Sequence, residues 1–172
     1  MYRSLSVAVL SAVVALPAVA ADYGPVAGSR EFTLAGTGTS DNDLENNTIG
    51  LSGSYGWYLS RNASVNLRQS WSYADVPGDN PWLASTRLGM DYHFGQGRLR
   101  PFIGANIGLV YGEDVDTTGI AGPELGLKYY AKPETFIYAQ TEYQFFFEDT
   151  DDVESNYDDG SFVHTVGIGF NF

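Results

Sequence analysis

Polarity alternates with a period of two residues along most of the chain after residue 21. Because successive side chains of a β-strand point to opposite faces, this period predicts strands and argues against helices. β-branched and aromatic residues are frequent in the alternating segments, as strands favour. Eight such segments follow one another, at 30–39, 48–58, 63–73, 82–94, 101–111, 121–130, 135–147 and 161–172. The sequence therefore predicts an all-β fold of eight strands.

The connections between these segments alternate in length. The long ones are 40–47, 74–81, 112–119 and 148–160, and the short ones are 59–62, 95–100 and 131–134. Fifteen of the 21 acidic residues lie in the long connections, which contain no Lys or Arg. The short connections contain Arg61, Arg98, Arg100 and Lys132. This alternation is typical of an antiparallel up-and-down barrel, with long loops at one end and short turns at the other.

Each predicted strand has an apolar face and a polar face. Aliphatic residues lie in the middle of the apolar faces, and aromatic residues lie near the strand ends. The aromatic residues form two bands, one of Trp57, Tyr92, Phe94, Tyr129 and Phe170 and the other of Trp71, Tyr73, Trp82, Tyr111, Phe145 and Phe162. An apolar belt between two aromatic bands is typical of a barrel wall that faces lipid. We therefore predict a transmembrane barrel, with every charged residue of a strand on its inner face.

Pro123 stands inside the sixth predicted strand, where it has no N–H to donate to a neighbouring strand. A closed barrel has no edge strand, the usual place for a proline in a sheet. We therefore expect the pairing of this strand to begin at Glu124, or to contain a bulge at Pro123.

The first 21 residues have the three parts of a secretory signal peptide. A basic start with Arg3 leads into an apolar stretch at 5–16, which is followed by small residues up to Ala21. A membrane-anchoring helix is the alternative, but the apolar stretch is short for crossing a bilayer. We expect cleavage after Ala20 or Ala21, which leaves 22–172 as one domain.

The last strand ends the chain on a phenylalanine, with apolar residues at alternate positions before it. Its sequence is Phe162-Val163-His164-Thr165-Val166-Gly167-Ile168-Gly169-Phe170-Asn171-Phe172. This ending resembles the C-terminal signature of bacterial outer membrane β-barrels, which implies that Phe170 and Phe172 form the signal for the barrel-assembly machinery.

Two further stretches extend the resemblance. They are Arg100-Pro101-Phe102-Ile103-Gly104-Ala105 and Gly122-Pro123-Glu124-Leu125-Gly126-Leu127-Lys128-Tyr129-Tyr130. With them the chain is similar to the small OmpA-type barrels, often labelled the porin family. The resemblance implies an eight-stranded barrel in the outer membrane of a Gram-negative-type bacterium, surrounded by outer membrane lipids, with its short turns in the periplasm.

Six charged residues on the predicted inner face are candidates for a functional site. Counted from the short turns, Arg68, Arg87, Glu124 and Glu142 lie at similar depth, and Asp91 and Lys128 form a lower layer. Eight strands leave an interior about wide enough for side chains, and an unpaired buried charge is strongly unfavourable. We therefore expect an ion-pair network that plugs the lumen. The alternative is that the same pairs separate to form a narrow pore for small solutes or ions.

The loop 148–160 contains seven carboxylates. Hard cations such as calcium favour clusters of oxygen ligands, but such a run is also typical of a solvated loop. Both interpretations stay open, so divalent cations are candidate partners of the acidic loops. Residues 114–119 begin like an EF-hand loop, but Glu124 falls one position short of the required final acid. We expect no cofactor and no metal site built into the fold.

Two classes of function are disfavoured by charge and by the histidines. A net charge of −12 argues against nucleic-acid binding, which needs a basic surface. An enzyme acting on lipid acyl chains would need a hydroxyl and a carboxylate beside a histidine. Of the two histidines, His93 faces the lumen, and His164 has Phe162 and Val166, not Ser or Thr, as same-face neighbours along its strand. We therefore expect a non-enzymatic structural or interaction protein, with lipopolysaccharide as the main contact of its acidic loops.

Overall fold

The computed structural model describes residues 23–40, 47–73, 82–112, 115–147 and 160–172. They form a closed barrel in which each strand pairs antiparallel with its neighbours in sequence, and β1 pairs with β8. The strands are β1 (Arg30–Ser40), β2 (Asn47–Tyr58), β3 (Ala63–Tyr73), β4 (Trp82–His93), β5 (Leu99–Gly112), β6 (Val115–Tyr130), β7 (Thr135–Phe147) and β8 (Gly160–Asn171). The predicted eight-stranded up-and-down barrel is confirmed. Within the described residues, no helix is long and apolar enough to cross a membrane.

Strand β6 is longer than the sequence predicted. It begins at Val115, six residues before the predicted start, so most of the predicted loop 112–119 is strand. β-branched residues at 115, 117, 118 and 120 favour this extension. The pairing of β5 with β6 shifts register between Val110 and Gly112, so the irregularity lies near the long-loop end of the barrel.

Pro123 lies within the continuous strand β6. Towards β5 it pairs with Ala105 in an unbroken ladder. Towards β7 the ladder is interrupted, since Glu124 pairs with Glu142 and the next pair is Ala121 with Phe145. The expectation that pairing begins at Glu124 is wrong, and the register on the two sides of the interruption is the same. The missing proline N–H thus interrupts the ladder on one side without ending the strand.

The outer wall of the barrel is apolar. Mid-strand side chains such as Leu51, Ile107 and Val166 are more than 60 % exposed, which is unfavourable in water and suits contact with lipid. The inner face is polar and buried. One charged residue departs from the predicted pattern, because Arg30, the first residue of β1, is exposed rather than turned into the lumen.

The short-turn end of the lumen is filled by residues of several strands and by the N-terminal segment, residues 23–29. The backbone N of Gly24 donates to the carbonyl of Pro133, and that of Gly28 donates to the carbonyl of Tyr58. Arg100, expected in a short turn, lies in β5 instead, is 1 % exposed and donates to the carbonyl oxygen of Arg61. A buried cluster of Ala35, Tyr130, Phe136 and Tyr138 packs beside it.

Candidate functional site in the lumen

Four of the six predicted lumen residues form one continuous ion-pair network across the barrel. Arg68 Nη1 lies 2.9 Å from Glu124 Oε2 and 3.1 Å from Glu142 Oε2. Arg87 Nη1 lies 2.7 Å from the same Glu142 oxygen. These residues come from β3, β4, β6 and β7, and each is at most 6 % exposed. We call these four residues the upper layer.

Neutral side chains complete the hydrogen bonding of the upper layer. The amides of Gln140 and Asn106 donate to Glu124 Oε2 at 2.8 and 3.0 Å. Gln144 donates to Glu142 Oε1 at 2.7 Å, and Arg87 Nη2 donates to the Ser70 hydroxyl at 2.5 Å. Because the carboxylates accept several bonds each, their charges are stabilised by donors of the protein. The upper layer is therefore a connected and buried polar network.

The lower layer differs from the prediction, because Asp91 and Lys128 have separate partners. Lys128 Nζ lies 2.7 Å from Glu31 Oε1 and donates to the Tyr58 hydroxyl at 3.0 Å. Asp91 Oδ2 accepts a bond from Asn66 at 2.9 Å. Glu31, the ion-pair partner of Lys128, is not among the six residues predicted from the sequence. Glu31 stands next to an outward-facing residue of β1, so alternation assigns it to the inner face. Alternation does not say how deep in the lumen a residue lies, and so it does not identify the partner of Glu31.

Aromatic rings surround the Lys128 ammonium group. Its nitrogen lies 4.8 Å from the ring centre of Phe136 and 5.6 Å from those of Tyr58 and Phe102, distances at which a cation is attracted to the ring face. His93 is fully buried between Tyr58 and Phe102, with ring centres 5.5 and 5.2 Å away. The inward position of His93 is as the sequence predicts, whereas the rings of Tyr58, Phe102 and Phe136 are not among the predicted residues, although alternation marks them as inward. They are packed in the lumen around the Lys128 ammonium group.

Two small cavities lie in the part of the lumen that the structure describes. One of about 50 Å³ is lined by hydroxyls, including Ser70, Ser72 and Ser85, and by Arg87. The other, about 10 Å³, lies beside Arg68 and Lys128 and is close to the smallest volume that holds one water. Buried side-chain atoms without a protein partner include Arg87 Nε, Asn66 Oδ1, Asp91 Oδ1 and Asn106 Oδ1. The lumen thus contains polar sites suited to single waters.

Some polar side chains lie on the outer wall. The Thr141 hydroxyl is 3.2 Å from His164 Nδ1, across the β7–β8 pair. The sequence predicts no hydroxyl beside His164 from its neighbours along the strand, and the structure corrects this, because Thr141 lies beside it across the strand pair. A second cluster joins Gln69, Thr86 and Tyr111, with Gln69 Nε2 donating to the Tyr111 hydroxyl at 3.0 Å.

The two residues of the expected assembly signal lie on the outer wall at the short-turn end. Phe170 is 5.7 Å from the ring of Phe32 and 5.7 Å from that of Phe172. Phe172 also lies 6.3 Å from the ring of Tyr55. They form part of the aromatic band at that end.

The seven carboxylates of the loop 148–160, which are expected to attract cations, lie outside the described residues. The predicted signal peptide also lies outside them. Among the residues that the structure does describe, no three His or carboxylate side chains are grouped to hold a metal ion.

Comparison with known proteins shows that this chain is similar in fold to several solved β-barrels. No protein-family model and no curated protein matches the sequence. Neisserial surface protein A is similar, with a TM-score of 0.65 and 17 % identity over 84 % of this chain and 96 % of that one. The N-terminal β-barrel domain of Pseudomonas aeruginosa OprF has a TM-score of 0.58 and 24 % identity over 85 % and 98 %. Ail, the attachment invasion locus protein of Yersinia pestis, has a TM-score of 0.55 and 15 % identity over 86 % and 100 %.

Proposed function

On the premise that this chain has the fold of the small outer membrane β-barrels, we propose that it is a structural and interaction component of the bacterial outer membrane. Its lumen is plugged, and it has neither a cofactor nor an enzymatic activity. The observation that carries the proposal is the upper layer, in which Arg87, Glu142, Arg68 and Glu124 link opposite walls of the barrel. Phe170 and Phe172 present the signal that the assembly machinery uses for insertion.

The plug has two layers, so an ion would have to pass two barriers. At the upper layer it would have to displace ion pairs whose members are nearly fully buried. At the lower layer it would meet the Lys128–Glu31 pair and the rings of Tyr58 and Phe136. Separating a buried ion pair leaves uncompensated charges, and in protein interiors this raises the free energy by about 3–5 kcal/mol.

A narrow pore is the second candidate function, and the cavities favour it. One cavity borders Arg87 and the other borders Arg68, so polar space lies next to both guanidinium groups. A movement of these two side chains would join the spaces into a path for small ions. The two candidates make opposite predictions for conductance.

The refolded wild-type barrel is expected to leave a planar lipid bilayer silent, because both layers close the lumen. Folding is first checked by the change in gel mobility of unboiled protein. The variant Arg68→Ala/Arg87→Ala, which removes the cations of the upper layer, is expected to show more current than wild type. Arg98→Ala, in an exposed turn, is the matched control and stays silent. Stable, repeated current steps from the wild type would reject the plug in favour of the pore.

The surroundings of His164 argue against a catalytic role. Its ring lies nearly parallel to that of Phe162, at 6.3 Å, and its bond to Thr141 lies on the lipid-facing wall. Acyl transfer needs a nucleophile, an oriented base and donors for the developing oxyanion in one place. The bond between Thr141 and His164 supplies the first two groups at most, so we keep the non-enzymatic assignment.

The acidic loops are proposed to contact lipopolysaccharide through bridging divalent cations. Both surfaces are anionic, so direct contact is repulsive and a cation between carboxylate and phosphate oxygens removes the repulsion. Calcium added to the folded barrel in a calorimeter is expected to release or absorb heat. The signal should shrink in a variant with Asp151→Asn and Asp152→Asn, and persist in Glu134→Gln at the opposite end. Absence of heat from the wild type would reject cation bridging.

A further inference from the structure

Three buried oxygen atoms in the lumen receive no hydrogen bond from the part of the chain that the structure describes. They are Asn66 Oδ1, Asp91 Oδ1 and Asn106 Oδ1, and each belongs to a residue that is 6 % exposed. The amide nitrogens of Asn66 and Asn106 are already used, since they donate to Asp91 Oδ2 at 2.9 Å and to Glu124 Oε2 at 3.0 Å. We call Asn66, Asp91, Asn106 and Glu124 the oxygen cluster.

Gly104 brings the two carboxyl groups of the oxygen cluster together. It pairs in the sheet with Asp91 on β4 and with Glu124 on β6. A Cβ at this glycine would overlap Asp91 Oδ1 and would lie 3.1 Å from Glu124 Cγ. The Asp91 carboxyl group therefore lies over Gly104, in hydrogen-bond contact with that of Glu124. Two ionised carboxylates repel each other at such a distance unless a positive charge lies beside them.

Gly89 provides a matching space for the amide groups of the oxygen cluster. It pairs in the sheet with Asn66 on β3 and with Asn106 on β5. A Cβ at Gly89 would lie 2.9 Å from Asn66 Oδ1, so the Asn66 amide lies over this glycine. Each amide also contacts a carboxylate, Asn66 that of Asp91 and Asn106 that of Glu124. Four oxygen-bearing side chains from four consecutive strands are therefore joined in one group.

The oxygen cluster has more negative than positive charge. Glu124 is paired with Arg68 at 2.9 Å. Lys128 Nζ lies 2.7 Å from Glu31, which takes up its charge. Asp91 has no ion pair within the described residues. The cluster therefore lacks one positive charge, and a buried charge without a counter-charge is strongly unfavourable.

The pattern of oxygens without donors indicates what supplies the missing charge. A water molecule donates hydrogen bonds but brings no charge. A proton shared by the two carboxyl groups brings the charge, but it leaves the amide oxygens of Asn66 and Asn106 without a donor. Hard metal cations take carboxylate and amide carbonyl oxygens together. Because one positive charge is lacking, the fitting ion is monovalent.

We propose that the oxygen cluster binds one alkali metal cation of the sodium class. Its ligands are the Oδ1 atoms of Asn66, Asp91 and Asn106, and the Glu124 carboxylate lies beside it. The ion is a counter-charge within the lumen and not a cofactor, and it departs from the expectation that no metal site is built into the fold. The inference goes beyond the proposed plug and does not depend on it, because the cluster holds the ion in a closed and in a conducting lumen alike.

The test measures how sodium changes the stability of the full mature barrel folded in vesicles. Urea unfolding is followed by tryptophan fluorescence while sodium chloride replaces choline chloride at constant total salt, so that screening stays the same. A ligand that binds the folded state alone raises the folding equilibrium constant in proportion to one plus its concentration over Kd. We therefore expect a rise of about elevenfold at a sodium concentration of about ten times Kd. A wild-type barrel whose stability ignores sodium would overturn the proposal.

The variant Asp91→Asn is expected to abolish the sodium dependence, because it removes the charge that the cation balances and nearly keeps the side-chain shape. Glu134→Gln removes one negative charge from an exposed turn, so it is the matched control and should respond to sodium as the wild type does. If Asp91→Asn does not fold, Asn106→Ser takes its place, since it withdraws one amide oxygen and keeps both carboxylates. A sodium response equal to that of the wild type in the folded variant would overturn the site.

A series of pH values distinguishes the cation from a proton shared by Asp91 and Glu124. For a bound cation, the rise in stability with sodium persists at alkaline pH. A shared proton would instead leave stability insensitive to sodium and make it fall as pH rises, because the folded state would then hold a proton that the unfolded chain releases. Such a fall in the wild type, absent from Asp91→Asn, would overturn the cation assignment.

Discussion

Replacing Arg87 with alanine is expected to lower the free energy of unfolding of the barrel by about 3 kcal/mol, the lower end of the range for breaking a buried ion pair. The guanidinium group lies 2.7 Å from Glu142 and donates to Ser70 at 2.5 Å, and the residue is 2 % exposed. Glu142 keeps Arg68 and Gln144 as partners, which limits the loss. Urea unfolding in vesicles, followed by tryptophan fluorescence, measures the change.

Two further variants identify the cause of that loss. Arg98→Ala removes the same side chain from an exposed turn and is expected to change stability by less than about 0.5 kcal/mol. Arg87→Met combined with Glu142→Leu removes both charges and leaves Arg68 paired with Glu124. Apolar replacement of a complete buried pair is often neutral or stabilising, so the double variant is expected to regain much of the stability. An unfolding free energy unchanged by Arg87→Ala would mean that the upper layer is not a stabilising network.

Gly122→Ala is expected to destabilise the barrel by about 3 kcal/mol or more, because it overpacks a site bounded by backbone. A Cβ at this position would overlap the carbonyl oxygen of Tyr143 on β7. The site lies next to Pro123, where the β6–β7 ladder is interrupted. A backbone atom cannot rotate away as a side chain can, so one of the two strands has to shift. The folded fraction, read from the gel mobility of unboiled protein, should fall together with the unfolding free energy.

Gly36→Ala is the matched control for this substitution. Gly36 also lies within a strand of the barrel, but no atom lies within 4 Å of a Cβ built there. Its replacement is expected to change stability by less than about 0.5 kcal/mol. Equal losses in the two variants would show that glycine is needed in these strands for a reason other than close approach of β6 to β7.

The number of strands and the two faces of the wall could be predicted from the amino-acid sequence alone. Both follow from alternation with period two, a local property that each strand carries in its own residues. Thus Leu51 and Val166 are exposed on the outer wall and Arg87 and Glu142 are buried in the lumen, as their parity indicates. The apolar outer wall and the barrel that it builds are those of the small outer membrane β-barrels, to which the chain is similar in fold.

Which inward side chains meet depends on the closed barrel and could not be predicted from parity. Glu31 and Lys128 are 97 residues apart, and the stagger of eight strands sets them at one depth. The contact between Thr141 and His164 on the outer wall likewise depends on the pairing of two strands and not on either strand alone. Parity assigns a residue to a face but not to a depth, so the prediction grouped Lys128 with Asp91 and missed Glu31. The depth of a residue in the lumen is a property of the whole barrel, because it depends on the register of every strand pair. The residues of a single strand do not determine it.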